Sequence, residues 1–427
     1  MPSLLTADML ILPLIFWFCS LLSAYTYLGY PALLWLLARL RPRRAFPLAG
    51  TPKVSLLIAA YNEQEVIAEK LENSLALDYP RERLQILVAA DGSDDRTPEI
   101  IRSYAGRGVE LSFQPARRGK TAALNRALAA VRGEILIFSD ANNLYAPGAV
   151  RALLRPFADA QVGATTGAKC ILEGDGHLGA SEGLYWRYES AIKDLESRLS
   201  TCTAVAGEIL AVRRALFEPF PEGIINDDFY LALGLIRRGF RVVYVPKARS
   251  YERVSPSAGD ERLRRARITA GRYQFLALAG RLLPWKNPLV IWQVFSHKIL
   301  RLFVPFAMLG AFTAAAAAVL WPARAEMFPA LFLAPPYNWL YLVSQLAFYA
   351  LALLGSLRPH QGLAGKLLYL PAFLVSSNLA ALAGLVTFIR GKQAHLWRRA
   401  PRRSNPDILA SATNRQIRPV EWNEEEA

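Results

Sequence analysis

The chain reads as an α/β protein built on a mainly parallel, mixed sheet and held between apolar N- and C-terminal segments long enough to cross a bilayer. Three observations predict this. Residues 52–282 alternate short apolar runs with helix-length amphipathic stretches, the pattern of βαβ units whose sheet is covered on both faces. Three apolar runs end in carboxylates: Leu84–Ala90 enters Asp91-Gly92-Ser93-Asp94-Asp95, Glu134–Ser139 enters Asp140-Ala141-Asn142-Asn143, and Ile224-Ile225-Asn226 enters Asp227-Asp228. Hydrophobic residues, 53% of the whole, gather at the two ends of the chain while charge fills its middle.

Met9–Ala38 is apolar with little interruption beyond Pro13, Gly29 and Pro31, and it exceeds the roughly 20 residues a span requires. A cleavable signal peptide is shorter and carries its charge in front. Here Arg39-Leu40-Arg41-Pro42-Arg43-Arg44 follows the segment. The expectation is a retained anchor whose N-terminus faces out and whose basic end is cytosolic.

Val54–Ala60 is the first expected strand, followed by Tyr61-Asn62-Glu63 and a helix to about Leu75. Leu84–Ala90 is the second, and Pro98–Ala105 opens with a proline suited to a first helical turn. A short strand at Val109–Gln114 precedes Arg117-Arg118-Gly119-Lys120 and a helix over Thr121–Arg132, then the strand Glu134–Ser139. Ser181–Ser200 is expected as a long helix, Ala204–Val212 and Arg241–Val245 as strands, and Phe229–Arg238 and Arg262–Gln274 as helices.

Beyond Leu282 the composition turns apolar again. Pro288–Phe303 mixes Trp292, His297, Lys298 and Arg301 with apolar residues, the composition of a helix lying in the interface plane, with His297 structural rather than catalytic. Leu302–Leu320, Trp339–Leu357 and Leu367–Ile389 are each of span length, and the alanine run Ala314–Ala318 is ordinary for such a helix. One inward anchor and three later spans would place Arg398–Arg403 outside, against the positive-inside tendency. The cytosolic middle of the chain takes precedence over the side of the tail. The expected divisions are an anchor at 1–45, a catalytic domain at 50–283, an interfacial helix at 284–301, a membrane region at 302–392 and a basic, then polar tail at 393–427.

Net charge is +15, from 50 Lys and Arg against 35 Asp and Glu. Many of the positive residues flank apolar segments, so the balance points to anionic lipid and excludes nucleic acid as the expected partner. Cys19, Cys170 and Cys202 are too scattered for zinc and imply no disulfide. The spans carry few charges inside, which argues against a transporter.

Ligands of open α/β sheets gather at the carboxyl ends of the strands. Acidic clusters placed there three times suit a divalent cation and a diphosphate. Asp140 and Asn142 have the one-apart spacing of oxygen ligands for Mg²⁺ or Mn²⁺. Asp91, with Asp94 or Asp95, can hydrogen-bond a nucleoside, and Asp228 at a helix start is the candidate base. The same residues also suit turns and helix N-termini, where Asp-Gly, Asn and paired Asp are common.

In the order Tyr61-Asn62-Glu63, Asp91-Gly92-Ser93-Asp94-Asp95, Gly119-Lys120 with Leu124-Asn125, Asp140-Ala141-Asn142 and Asp227-Asp228, the chain resembles family 2 glycosyltransferases of GT-A fold. The nearest branch is the membrane-bound one that includes cellulose, hyaluronan and poly-N-acetylglucosamine synthases. The resemblance covers roughly residues 50–300 and is specific as an ordered set, each motif alone being weak. It implies an inverting transfer from a nucleotide sugar with a divalent cation. By position, Asn62, Glu63, Asp91 and Lys120 would serve the nucleotide, Asp94 standing with them; Asp140 would serve metal and diphosphate, and Asp228 would be the base beside Asp227.

Two departures stand out. The family's Asp-x-Asp is Asp140-Ala141-Asn142, with a neutral second ligand, and its Gln-x-x-Arg-Trp is Arg264-Arg265-Ala266-Arg267-Ile268. Ile268 cannot stack on an acceptor sugar as the family's Trp does, which favours adding one sugar over extruding a polymer. Arg264 or Arg267 remains a candidate for the diphosphate, and Glu208 for the sugar-bearing side. Tyr185-Trp186-Arg187-Tyr188 can stack an acceptor or pack against membrane-proximal helices. The expected partners are a nucleotide sugar, first a UDP-sugar, a lipid-linked or glycan acceptor, and membrane lipid. The expected location is the plasma (inner) membrane, multi-pass, with the catalytic domain cytosolic. The rivals are a processive polysaccharide synthase and a non-catalytic nucleotide-binding membrane scaffold.

Overall fold

The computed structural model describes residues 7–42, 44–47, 50–172, 176–253, 258–323, 325, 327–357 and 362–391. The expected basic cluster Arg398–Arg403 and the tail lie outside the described residues, as does Arg43 of the first cluster.

The chain begins with α1 (Ala7–Ala24), a π-helical turn at Tyr25–Gly29, and α2 (Tyr30–Arg39). The sheet unit follows as β1 (Val54–Ala60), α3 (Ile67–Leu75), β2 (Leu84–Asp91), α4 (Thr97–Ser103), β3 (Val109–Gln114), α5 (Lys120–Ala127) and β4 (Ile135–Asp140). Its second half is β5 (Asn143–Tyr145), α6 (Ala149–Leu154), β6 (Val162–Ile171), α7 (Gly176–Leu199), β7 (Leu210–Arg213), α8 (Asp227–Arg237) and β8 (Arg241–Glu252). The last elements are helical: α9 (Ala258–Leu282), α10 (Pro288–Val294), α11 (Leu300–Leu320), α12 (Tyr337–Leu357) and α13 (Gly362–Ile389).

The eight strands lie in the order β3-β2-β1-β4-β7-β6-β8-β5. β3, β2, β1 and β4 are mutually parallel, β7 runs against both β4 and β6, and β8 is parallel to β6. The C-terminal ends of β1, β2, β4, β6 and β8 therefore share one rim with the N-terminal end of β7. The central strands β1 and β2 are buried throughout because both faces are covered, whereas the edge strand β3 is half-buried beyond Val109. Leu57, Ala59, Leu87, Leu136 and Phe138 meet α5 and α8 on one face. Leu56, Ile58, Ile86, Val88 and Ile137 meet α3, α4 and α6 on the other. Each fully buried Leu or Ile contributes roughly 1.5–3 kcal/mol.

Three expectations change. Ala204–Val212 is a strand only from Leu210, after a 3₁₀ turn at Gly207–Ile209. β5, α6 and β6 were not anticipated. β6 contains Gly163, Thr165, Thr166 and Gly167, which reads poorly as a buried strand. A Cβ on Gly167 would stand 2.3 Å from the Ala248 carbonyl oxygen, so the close approach of β8 requires glycine there. Finally, Pro288–Phe303 is not a separate element. It runs through a second π-helical turn, Phe295–Ile299, directly into α11.

Among the described residues four helical stretches are long and apolar enough to cross a membrane: Leu10–Arg39, Pro288–Leu320, Tyr337–Leu357 and Leu368–Ile389. Leu14, Phe18, Leu309, Trp339, Leu353 and Ile389 stand exposed on them. α1 packs on the alanine run of α11, where Phe16 meets Ala311, Ala314, Ala315 and Ala318. Small residues allow the two backbones to approach closely.

The charges of Pro288–Phe303 turn inward instead of facing headgroups. Glu189 on α7 accepts from Arg301 Nη1 at 2.5 Å, faces His297 Nε2 at 3.2 Å and lies 3.5 Å from Lys298 Nζ. Glu196, two turns on, accepts from Tyr30 at 2.7 Å and from both the amide and hydroxyl of Thr203, and meets His297 Nδ1 at 2.8 Å. The first helix, α7 and the α10–α11 rod are thus joined through one buried polar network. His297 is structural, as expected, but it is buried in this network and not interfacial.

Candidate active site

A cavity of about 790 Å³ opens at the carboxylate-bearing rim and extends to the membrane helices. Glu63, Lys120, Asp140, Asn142, Glu208, Asp227, Asp228, Arg264 and Arg267, all singled out from sequence, line it. Asn62, Asp91 and Asp94 do not. They form the wall beside it.

Asp91 ends β2 and is buried, with its carboxylate turned into the protein. Its two oxygens accept the amides of Arg118 and Gly119 at 2.8 and 2.7 Å. This fixes the loop that delivers Lys120 to the first turn of α5. Gly92 sits against the same loop at φ 63°, and a Cβ there would lie 2.7 Å from the Arg117 nitrogen. Asn62, at φ 53°, and Asp94 hold one another: Asn62 Nδ2 donates to Asp94 Oδ1 at 2.5 Å, and the Asp94 amide donates back to Asn62 Oδ1 at 3.0 Å. Asn125 is structural, pairing twice with the Phe220 backbone at 2.8 Å.

Lys120 Nζ donates to Asp140 Oδ1 at 2.8 Å and lies 3.7 Å from Asp227 Oδ2. Burial disfavours its charge, but Asp140 and Asp227 outweigh burial and hold the ammonium above its ordinary value. Asp140, Asp227 and Asp228 therefore share the cavity with Lys120, and Asp91 is tied to it only through the loop it holds. Asp228 is partly buried at the start of α8, and its Oδ1 accepts the Phe229 amide at 2.7 Å. Burial first, and the neighbouring Asp227 second, raise its pKa to about 6; the amide and Lys120 oppose them.

Asn142 donates Nδ2 to Glu252 Oε1 at 2.8 Å, which leaves its Oδ1 as the atom able to meet a cation. The Asp140 side chain is 38% exposed to the cavity. Hard oxygen donors of this kind suit Mg²⁺ or Mn²⁺. Among the described residues no group of three or more His, Cys, Asp or Glu is placed to hold a metal. A cation here would complete its shell from water and ligand phosphates.

Several contributors escaped the sequence reading. Lys169 on β6 pairs with Glu252 and lies 3.5 Å from Glu208 Oε1, so three distant segments meet at the rim. Lys70 on α3 is fully buried under the Asp140–Asn143 turn, donating to the Asn143 carbonyl at 2.7 Å. Burial lowers its pKa to about 7, against the pull of Asp140. Of the aromatic group named from the sequence, Tyr185 packs on Phe373 of α13, ring centroids 5.2 Å apart, and both Tyr185 and Trp186 line the cavity. Arg265 reaches α13 too, donating to Ser377 at 2.7 Å.

A mixed sheet with carboxylates, a lysine and a candidate base converging on its rim is the architecture of a GT-A glycosyltransferase. Residues 52–269 match the family described as "Glycosyltransferase like family 2", and the chain belongs to that family. It is 28% identical over 223 residues to the probable glycosyltransferase YdaM of Bacillus subtilis, covering 47% of this chain and 50% of the relative. It is 26% identical over 230 residues to the poly-β-1,6-N-acetyl-D-glucosamine synthase of Staphylococcus aureus, covering 52% and 55%. To the β-monoglucosyldiacylglycerol synthase of Trichormus variabilis it is 33% identical over 155 residues, covering 35% and 33%. The chain thus spans about half or less of the length of these relatives. The mannosyltransferase PcManGT of Pyrobaculum calidifontis, solved with GDP-Man and Mn²⁺, superposes with a TM-score of 0.65 at 26% identity. The match covers 89% of this chain and 99% of that one.

Proposed function

We propose that the protein moves one sugar from a nucleotide-sugar donor, with inversion, to a hydroxyl of a lipid-linked or glycan acceptor at the cytosolic face of a membrane. The observation that carries this is the meeting, in one cavity, of Asp228 and the Lys120–Asp140 pair. The acceptor hydroxyl gives its proton to Asp228, and its oxygen forms the new bond to the anomeric carbon. The bond from that carbon to the diphosphate oxygen breaks on the opposite face. Lys120 and Arg267 take up the charge left on the diphosphate. Asp140 and Asn142 would hold Mg²⁺ or Mn²⁺, which supplies Lewis-acid stabilisation to a departing diphosphate. Asn62, Glu63, Asp91 and Asp94 shape the nucleoside wall, Asp91 through the loop it clamps.

The relatives support the classes of molecule: GDP-Man with Mn²⁺ for one, a glucosyl lipid product for another, a polysaccharide for a third. Ile268 in place of an aromatic residue supports single addition. The proposed layout keeps the anchor at 1–45, the catalytic domain at 50–283, the membrane region to 392 and a cytosolic active site. A UDP-, GDP- and dTDP-sugar panel in detergent, with and without Mn²⁺, tests the reading. One donor is expected to release nucleotide in a cation-dependent way, with a single-sugar product. A product ladder would favour the processive synthase, and binding without release from any donor would favour a nucleotide-binding scaffold.

The pH profile follows from Asp228. A base acts in its carboxylate form, which falls away below its pKa of about 6. Turnover at saturating substrate is expected to be flat above neutrality and to drop about tenfold per pH unit well below that value. An acid limb near pH 4 would show that no raised carboxylate governs the step.

A further inference from the structure

Resting on the transferase reading, we propose that the membrane-facing end of the cavity is an anion site for a phosphate-bearing amphiphilic acceptor, with the phosphate recognised away from the reacting hydroxyl. Arg301 lines this end and is 7% exposed. Its Nη1 goes to Glu189 and its guanidinium lies 5.7 Å from the Tyr188 ring, while its buried Nε and Nη2 have no acceptor in hydrogen-bond geometry among the described residues. Trp186 lines the same cavity with a buried Nε1 that also lacks an acceptor. Lys193, one helical turn beyond Glu189, is buried and has no carboxylate within ion-pair distance among the described residues. Its ammonium lies 5.4 Å from the Trp186 ring and 5.9 Å from that of Tyr244. Lys298 adds a further cation, 3.5 Å from a Glu189 oxygen that His297 also faces.

The unsatisfied groups of Arg301 and Trp186 are donors, and Glu189 alone serves both Arg301 and Lys298. Buried donors without acceptors are costly and rare. A ligand that brings acceptors and negative charge, a phosphate or diphosphate, satisfies them together. The surroundings state what else it carries. Tyr27 of the first apolar helix and Phe373 and Asn378 of α13 line the same cavity, so an apolar tail leaves toward the bilayer. At the rim, Asp228 is suited to a hydroxyl, which needs a base, and not to an ionised phosphate oxygen, which does not. The acceptor class is therefore a lipid whose phosphate stands between its tail and a hydroxyl-bearing headgroup.

The test uses the full chain in nanodiscs with the donor site filled by nucleoside diphosphate and Mn²⁺, and measures binding calorimetrically. Dodecyl phosphate is expected to bind at least tenfold tighter than dodecanol or inorganic phosphate. Lys193→Met should weaken it tenfold or more while Lys193→Arg retains it, and Trp186→Phe should weaken it several-fold without touching any charge. Equal binding of dodecanol overturns the anion site. Equal binding of inorganic phosphate overturns the lipid assignment, and indifference to both Lys193→Met and Trp186→Phe overturns the location. No turnover enters these readouts, so failure of the transferase reading would appear separately in the donor panel.

Discussion

Asp228→Asn is expected to lower turnover by about 10²- to 10⁴-fold, the usual contribution of a positioned general base, equivalent to about 3–5.5 kcal/mol in the barrier. The substitution is close to silent for folding. An asparagine Oδ1 still accepts the Phe229 amide, and Lys120 keeps Asp140 and Asp227 as partners. Nucleotide affinity should stay within a factor of two or so, because Asn62 and Asp94 are bound to one another and Asp91 to the Arg118 and Gly119 amides, none of them to Asp228. Full activity in the variant, measured by single-turnover transfer, would remove Asp228 as the base. Weakened nucleotide binding with transfer preserved would assign it to the donor instead.

Glu189→Ala carries the largest expected stability effect. Burial alone would push this carboxyl up, yet Arg301, Lys298 and His297 together hold it well below the usual carboxylate range. A carboxylate so depressed stabilises the fold above its unfolded pKa and loses that contribution as pH falls through the folded value, so the effect is complete at neutral pH. Removing it strands several buried cations, a change that costs about 3–5 kcal/mol. Thermal unfolding of the detergent-solubilised protein at pH 7.5 should show a markedly lower midpoint, with Glu189→Gln in between. An unchanged midpoint would mean that water or lipid already screens the cluster.

The parallel half of the sheet could be read within a residue or so, since a strand buried on both faces is apolar throughout. Val109–Gln114 has the expected bounds, and Leu84–Ala90 gains only Asp91. β6 was missed because close approach of Phe240 at Gly163 and of β8 at Gly167 leaves room only for glycine, which removes the apolar signal. Asp91 was placed correctly on the rim, but spacing says nothing about which way a carboxylate turns, and this one faces the loop. Lys169, Lys193 and Arg301 could not be assigned from sequence at all, because their surroundings come from segments up to a hundred or so residues away. Pro288–Phe303 illustrates the same gap: its cations looked amphipathic until Glu189 and Glu196 stood opposite them.

The two π-helical turns face each other, with Tyr25 bonded to Ser296 at 2.9 Å and to Trp292 Nε1 at 2.8 Å. Each holds one more residue per turn than an α-helix would, and one residue is worth about 100° of rotation. Just beyond the first turn Tyr30 and Leu34 pack on Ile192 of α7, and His297 within the second turn meets Glu189 and Glu196 of the same helix. The matched pair therefore sets the rotation at which Tyr30 and His297 both reach α7.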